Sequence, residues 1–81
     1  MKIAKYFSAE WCGPCKVFKP IMKSLSSEGY NIEFIDGDKS PKLANEYNIR
    51  SVPTTIIETD GEETNRIIGV RSKEQMIEAL S

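Results

Sequence analysis

The chain contains no histidine and only two cysteines, Cys12 and Cys15. Without histidine there is no Cys–His nucleophile pair and no imidazole to ligate a metal. Two thiols also fall short of the four Cys and His ligands of a structural zinc site, so no metal is expected. A purely structural disulfide between residues three apart would close a very short loop and restrain the unfolded chain only weakly. A reactive dithiol in a reducing compartment remains.

Long hydrophobic runs are absent as well. The apolar stretches are short pieces such as Thr55-Ile56-Ile57, and none is long enough to cross a bilayer. Neither sign of charge dominates: the formal net charge is −1 with 28% charged residues, so neither nucleic acid nor a membrane is expected as a partner. The opening Met1-Lys2-Ile3-Ala4-Lys5-Tyr6 puts a second lysine where a secretory signal needs an unbroken apolar stretch. The expectation is an unexported, cytoplasmic protein. Repeats and linker-like tracts are missing too, and 81 residues with a 40% hydrophobic fraction suit one soluble domain over residues 1–81.

What is present reads as alternating strands and helices. Residues 2–7 form a first strand, although Lys2 and Lys5 are unexpected in a central, buried one. Val17, Phe18, Ile21, Met22 and Leu25 recur at helical spacing over residues 13–28, with Gly29 as the stop. Pro20 inside that stripe predicts a kink. Residues 31–36 read as a strand followed by the turn Asp36-Gly37-Asp38. Ser40-Pro41 opens a short helix to about Tyr47, with Ser40 as cap. Residues 54–58 and 65–68 pair as a hairpin about Asp60-Gly61. Ser72 and Gln75 match a capping box that starts a last helix burying Met76, Ile77 and Leu80. The order is β-α-β-α-β-β-α, which predicts an α/β fold with a four-stranded mixed sheet and helices on both faces.

The cysteines lie between the first strand and the first helix. A thiolate is the nucleophile in disulfide exchange, and a helix start stabilises negative charge through its free N–H groups and dipole. Pro14 costs nothing in the first turn, where an N–H has no helical partner anyway. Gly13 is expected to let the loop turn tightly and to leave Cys12 uncrowded. Cys15, one turn along and deeper, is placed to attack Cys12 once a mixed disulfide has formed. The strand-then-helix setting separates a redox Cys-x-x-Cys from half of a zinc knuckle.

The segment Glu10-Trp11-Cys12-Gly13-Pro14-Cys15-Lys16 resembles the thioredoxin active-site segment. Pro20, Tyr47-Asn48-Ile49-Arg50-Ser51-Val52-Pro53-Thr54, Asp60-Gly61 and Gly69 extend the resemblance, in order, over almost the whole chain. The strand and helix that precede the active-site strand in full-length thioredoxins are missing, leaving a minimal core of glutaredoxin size. The resemblance implies a thioredoxin fold and a protein-disulfide reductase cycling Cys12 and Cys15. It implies no bound cofactor, electrons from NADPH through a separate thioredoxin reductase, disulfide-containing proteins as substrates, and a monomer. It also implies a cis Val52-Pro53 bond facing the dithiol, where an X-Pro bond alone is trans by default. Trp11, Val52 and Gly69 would then form the docking surface around Cys12, with the Val52 backbone pairing to an extended substrate.

Several of these residues also have plainer readings. Trp11 could be a core aromatic, although its place beside the nucleophile favours docking. Gly69 could only supply backbone freedom. Lys16 and Lys19 read as a solvated helix surface, and Phe34 and Tyr47 as core. One departure from the family pattern is chemical. Tyr6 stands where thioredoxins carry a buried Asp, and Phe34 where the partnering Lys is usual. A tyrosine titrating near ~10 is a poor base at neutral pH, so Cys15 is left to water, the departing thiolate, or Glu33 or Asp36 through solvent. Two other functions compete. One is a glutathione-dependent glutaredoxin, opposed by Gly13-Pro14 between the cysteines and by Gly69-Val70-Arg71-Ser72 in place of a Gly-Gly and acidic pattern. The other is a non-catalytic binding subunit of a larger complex.

Overall fold

The computed structural model describes residues 1–81. The first strand, β1 (Lys2–Ser8), lies at the centre of a sheet ordered β2-β1-β3-β4. It runs parallel to β2 (Ile32–Asp36), the geometry that a crossover through the helix α1 (Gly13–Ser27) imposes. On its other side it is antiparallel to β3 (Thr54–Thr59), which turns back into β4 (Glu62–Ile68). Asp60 and Gly61 both have positive φ, the conformation that joins two strands in a two-residue hairpin. The hairpin is longer than its apolar residues suggest: β4 begins at Glu62 rather than Asn65. Charged residues are compatible with a strand that has a neighbour on one side only.

Strand alternation sends Ala4, Tyr6, Ile57 and Ile67 to one face, where Phe18, Met22 and Leu25 of α1 and Met76 and Leu80 of α3 (Lys73–Leu80) close over them. Phe7, Ile35 and Ile56 go to the other face, covered by Leu43 and Ala44 of α2 (Pro41–Glu46) and by Tyr47. The capping box is complete: Gln75 N–H donates to Ser72 Oγ at 3.1 Å and Ser72 N–H to Gln75 Oε1 at 3.0 Å. At the start of α2, Ser40 takes the cap position, but its side chain makes no capping bond. Pro20 lies inside α1, which continues past it to Ser27.

Three burial expectations need correction. Val17 is 65% exposed, because it lies about 100° around the helix from Phe18, which points into the core. Phe34 is 40% exposed, because β2 is an edge strand with nothing beyond it; its ring packs edge-on against Tyr6, centroids 5.8 Å apart. Lys5 is accommodated in the central strand because α2 is too short to cover its whole face. The Lys5 ammonium lies 3.0 Å from Glu33 and 3.8 Å from Glu58, and Tyr47 O–H donates to Glu58 at 2.7 Å.

Candidate active site

Cys12 occupies the cap position of α1 in extended conformation, and Cys15 follows in the first turn. The two are joined as a disulfide, Cα atoms 5.2 Å apart, and each residue is 3% exposed. Cys15 N–H donates to Cys12 Sγ at 3.2 Å, so a helix N–H already points at the sulfur that would carry charge after reduction. Pro14 sits in the same first turn, where its missing N–H removes nothing. Gly13 is helical rather than a tight-turn residue, and a Cβ added there would meet nothing within 4 Å. Neither a tight turn nor a close contact within the chain therefore requires glycine at that position.

The residues brought up to Cys12 come from distant parts of the chain. Val52-Pro53 is cis, and the Val52 carbonyl oxygen lies 3.6 Å from Cys12 Sγ. The Val52 N–H makes no hydrogen bond within the chain. Gly69 has φ of +94°, a conformation that an L side chain strains to adopt, and its N–H donates to the Pro53 carbonyl at 2.9 Å. Trp11 is 71% exposed, with its Nε1–H bonded to Asp38 Oδ2 at 2.6 Å. A groove of about 170 Å³ runs between Trp11, Asp38, Ile49 and Val52. Asp38 reads from sequence only as a turn residue; no local signal reveals its bond to a tryptophan 27 positions away.

Behind the disulfide the surroundings differ. Tyr6 is fully buried, edge-on to Phe18, and its hydroxyl lies 3.4 Å from the Cys15 carbonyl oxygen, to which it donates. Burial pushes the Tyr6 phenol above its ordinary pKa, with the Ser8 hydroxyl opposing. A separate cavity of about 380 Å³ is lined by Cys15, Lys16, Lys19, Lys39, Asp36 and Glu10, among others, and by neither Trp11 nor Val52. The alternatives for Cys15 narrow here. Glu33 points to the α2 face, paired with Lys5, whereas Asp36 lines the cavity beside Cys15.

Comparison with known proteins agrees with this geometry. The thioredoxin family model matches residues 2–81. The chain is 39% identical over 77 residues to a thioredoxin from Chlamydia trachomatis, covering 93% of this chain and 76% of that one. It is 36% identical over 78 residues to a bifunctional thioredoxin reductase/thioredoxin from Mycobacterium leprae, covering 93% of this chain and 17% of that protein. A mutant thioredoxin from Halobacterium salinarum superposes with a TM-score of 0.91 at 29% identity, over 98% of this chain and 71% of that one. The thioredoxin family model spans residues 2–81, and Cys12 and Cys15 meet in a disulfide at the start of α1, so the chain belongs to the thioredoxin family of thiol–disulfide oxidoreductases.

Proposed function

We propose that the reduced chain acts as a single unit that reduces protein disulfides through Cys12 and Cys15, with Cys12 as the attacking sulfur. The observation that carries this assignment is the Cys15 N–H aimed at Cys12 Sγ across the first turn of α1. A thiolate at a helix cap gains from the unpaired N–H groups and from the helix dipole. The Cys12 thiolate attacks one sulfur of the substrate disulfide. A Cys12–substrate S–S bond forms, the substrate S–S bond breaks, and the second substrate sulfur leaves as a thiolate. Cys15 then attacks Cys12 Sγ, closes the Cys12–Cys15 disulfide and releases the first substrate sulfur. Two electrons pass from the protein to the substrate.

Docking falls to Trp11, Val52, Pro53 and Gly69 around Cys12, with Gly13 and Pro14 keeping the approach open. The unpaired Val52 N–H supports this role, since an extended substrate backbone supplies the acceptor it lacks. Recharging by a thioredoxin reductase, with electrons from NADPH, is supported by the Mycobacterium leprae relative, whose name joins the two activities. We place the protein in the cytoplasm as a monomer that carries no cofactor of its own.

Insulin reduction measured side by side with a thioredoxin reductase/NADPH system and with glutathione tests the reading. Turnover is expected with the reductase and not with glutathione; turnover with glutathione alone would overturn it. In Cys15→Ser, a stable mixed disulfide on Cys12 is expected, and its absence would remove Cys12 as the nucleophile.

A further inference from the structure

Resolution requires Cys15 to lose a proton inside the fold, and few groups near it can accept one. Tyr6 O–H is turned to the Cys15 carbonyl and remains protonated, because ionising a buried phenol is costly. Lys16 and Lys19 from α1 and Lys39 from the β2–α2 loop line the cavity beside Cys15, but as ammonium ions they offer no acceptor. Glu10 is on the open rim, its side chain 82% exposed and paired with Lys39 at 3.4 Å. Glu33 is on the other face of the sheet.

Asp36 is the carboxylate that remains. It closes β2, opposite Ser8 of β1, and is half-buried. Its Oδ1 accepts the Asp38 N–H at 2.9 Å and the Lys39 N–H at 3.3 Å, which pins the carboxylate, while Oδ2 has no partner in the chain. The open cavity of about 380 Å³ shared by Cys15 and Asp36 has room for bridging water, with Ser8, Glu10 and the three lysines among its lining as polar partners.

We infer that Asp36 accepts the Cys15 proton through water in this cavity when the mixed disulfide is resolved. The inference rests on the exchange mechanism proposed above. As the Cys15 S–H bond breaks, its proton passes through water to Asp36 Oδ2. The sulfur electron pair forms the Cys15–Cys12 bond. The Cys12–substrate bond breaks, and the substrate leaves as a thiolate, which takes up a proton that Asp36 returns through water or that solvent supplies. The three lysines hold the negative charge while it passes from sulfur to carboxylate. The fold thus places its proton acceptor on the neighbouring strand, at the solvent edge of the site, instead of in the core beneath it.

Stopped-flow reaction of the reduced protein with dithiobis(nitrobenzoate) separates the steps. The first release of coloured thiolate scales with probe concentration and reports the attack by Cys12. The second does not, and reports resolution by Cys15. Asp36→Asn keeps an oxygen for the Asp38 and Lys39 N–H groups and removes the base. Its second phase is expected to slow at least ~10-fold near pH 6, within the range of general base catalysis, and to converge on wild type near pH 9. The first phase should not change, and Asp36→Glu should recover part of the second. A second phase unchanged near pH 6, or slowed by one factor at every pH, would overturn the inference while leaving the exchange mechanism intact. Equal slowing of both phases would show a displaced loop and overturn it as well. A wild-type protein without a second phase would refute the two-step exchange itself, and the inference with it.

Discussion

The Tyr6 hydroxyl lies 3.4 Å from the carbonyl oxygen of Cys15, near the outer limit of a hydrogen bond, inside the core that carries the active-site helix. A contact that long contributes little, and it engages the Cys15 backbone rather than its sulfur. Tyr6→Phe should therefore reduce insulin within about 3-fold of the wild-type rate from pH 6 to pH 9, and lose no more than ~1 kcal/mol of stability. A loss above 10-fold would give the hydroxyl a chemical role that this geometry does not support.

Trp11 is the sole tryptophan, and its Nε1–H bond to Asp38 is the one hydrogen bond its exposed ring makes. In Asp38→Ala the ring should move more freely, seen as lower fluorescence anisotropy. If Trp11 docks substrate, KM for a protein disulfide should rise about 3- to 10-fold with kcat within about 2-fold, the size of one ordinary lost hydrogen bond. Unchanged KM with a more mobile ring would remove Trp11 from the docking surface.

Thr55 is fully buried, and its Oγ1 has no hydrogen-bond partner. A buried hydroxyl without a partner costs stability, and valine has nearly the same shape. Thr55→Val should raise stability by about 1 kcal/mol in denaturant melts. A loss of stability would mean that the hydroxyl is satisfied by buried water.

The Tyr47 phenol is pushed up from 10.0 to about 12, first by its hydrogen bond to Glu58, with burial and nearby carboxylates adding to it. Folding therefore favours the protonated phenol. The stability this supplies is fully present below pH 10, and is lost as pH rises toward about 12. Tyr6, raised by burial, acts in the same direction. Urea melts of the oxidised protein between pH 9 and pH 12 should show falling stability, with a shallower fall in Tyr47→Phe. Equal slopes would remove Tyr47 from the alkaline transition.

Much of the fold is legible in the sequence because it is set by neighbours a few residues apart. The Ser72–Gln75 capping box, the Asp60-Gly61 turn and the apolar stripe of α1 each depend on spacings of one to four residues; the first two are found as read, and the stripe buries Phe18, Met22 and Leu25 but not Val17. The exposure of Phe34 is not legible, because it depends on whether another strand lies beyond β2, which strand order alone decides. Lys5 is similar: its partners Glu33 and Glu58 come from the strands on either side of it.

The active site divides along the same line. The sequence by itself determined that two thiols stand one helical turn apart at the start of α1, because the junction, the proline and the spacing are all local. Only the tertiary structure decided what surrounds them. Val52 is 40 residues from Cys12, and its carbonyl reaches the sulfur because β3 pairs with β1 and carries the segment before it alongside the loop after β1. The sheet also separates Glu33 from Asp36. Strand alternation puts residues three apart on opposite faces, but pairing β2 with β1 decides which face holds Cys15. The dithiol is thus a property of residues three apart in the chain, while the Val52 carbonyl beside Cys12 and the Asp36 carboxylate beside Cys15 are brought there by the packing of the sheet.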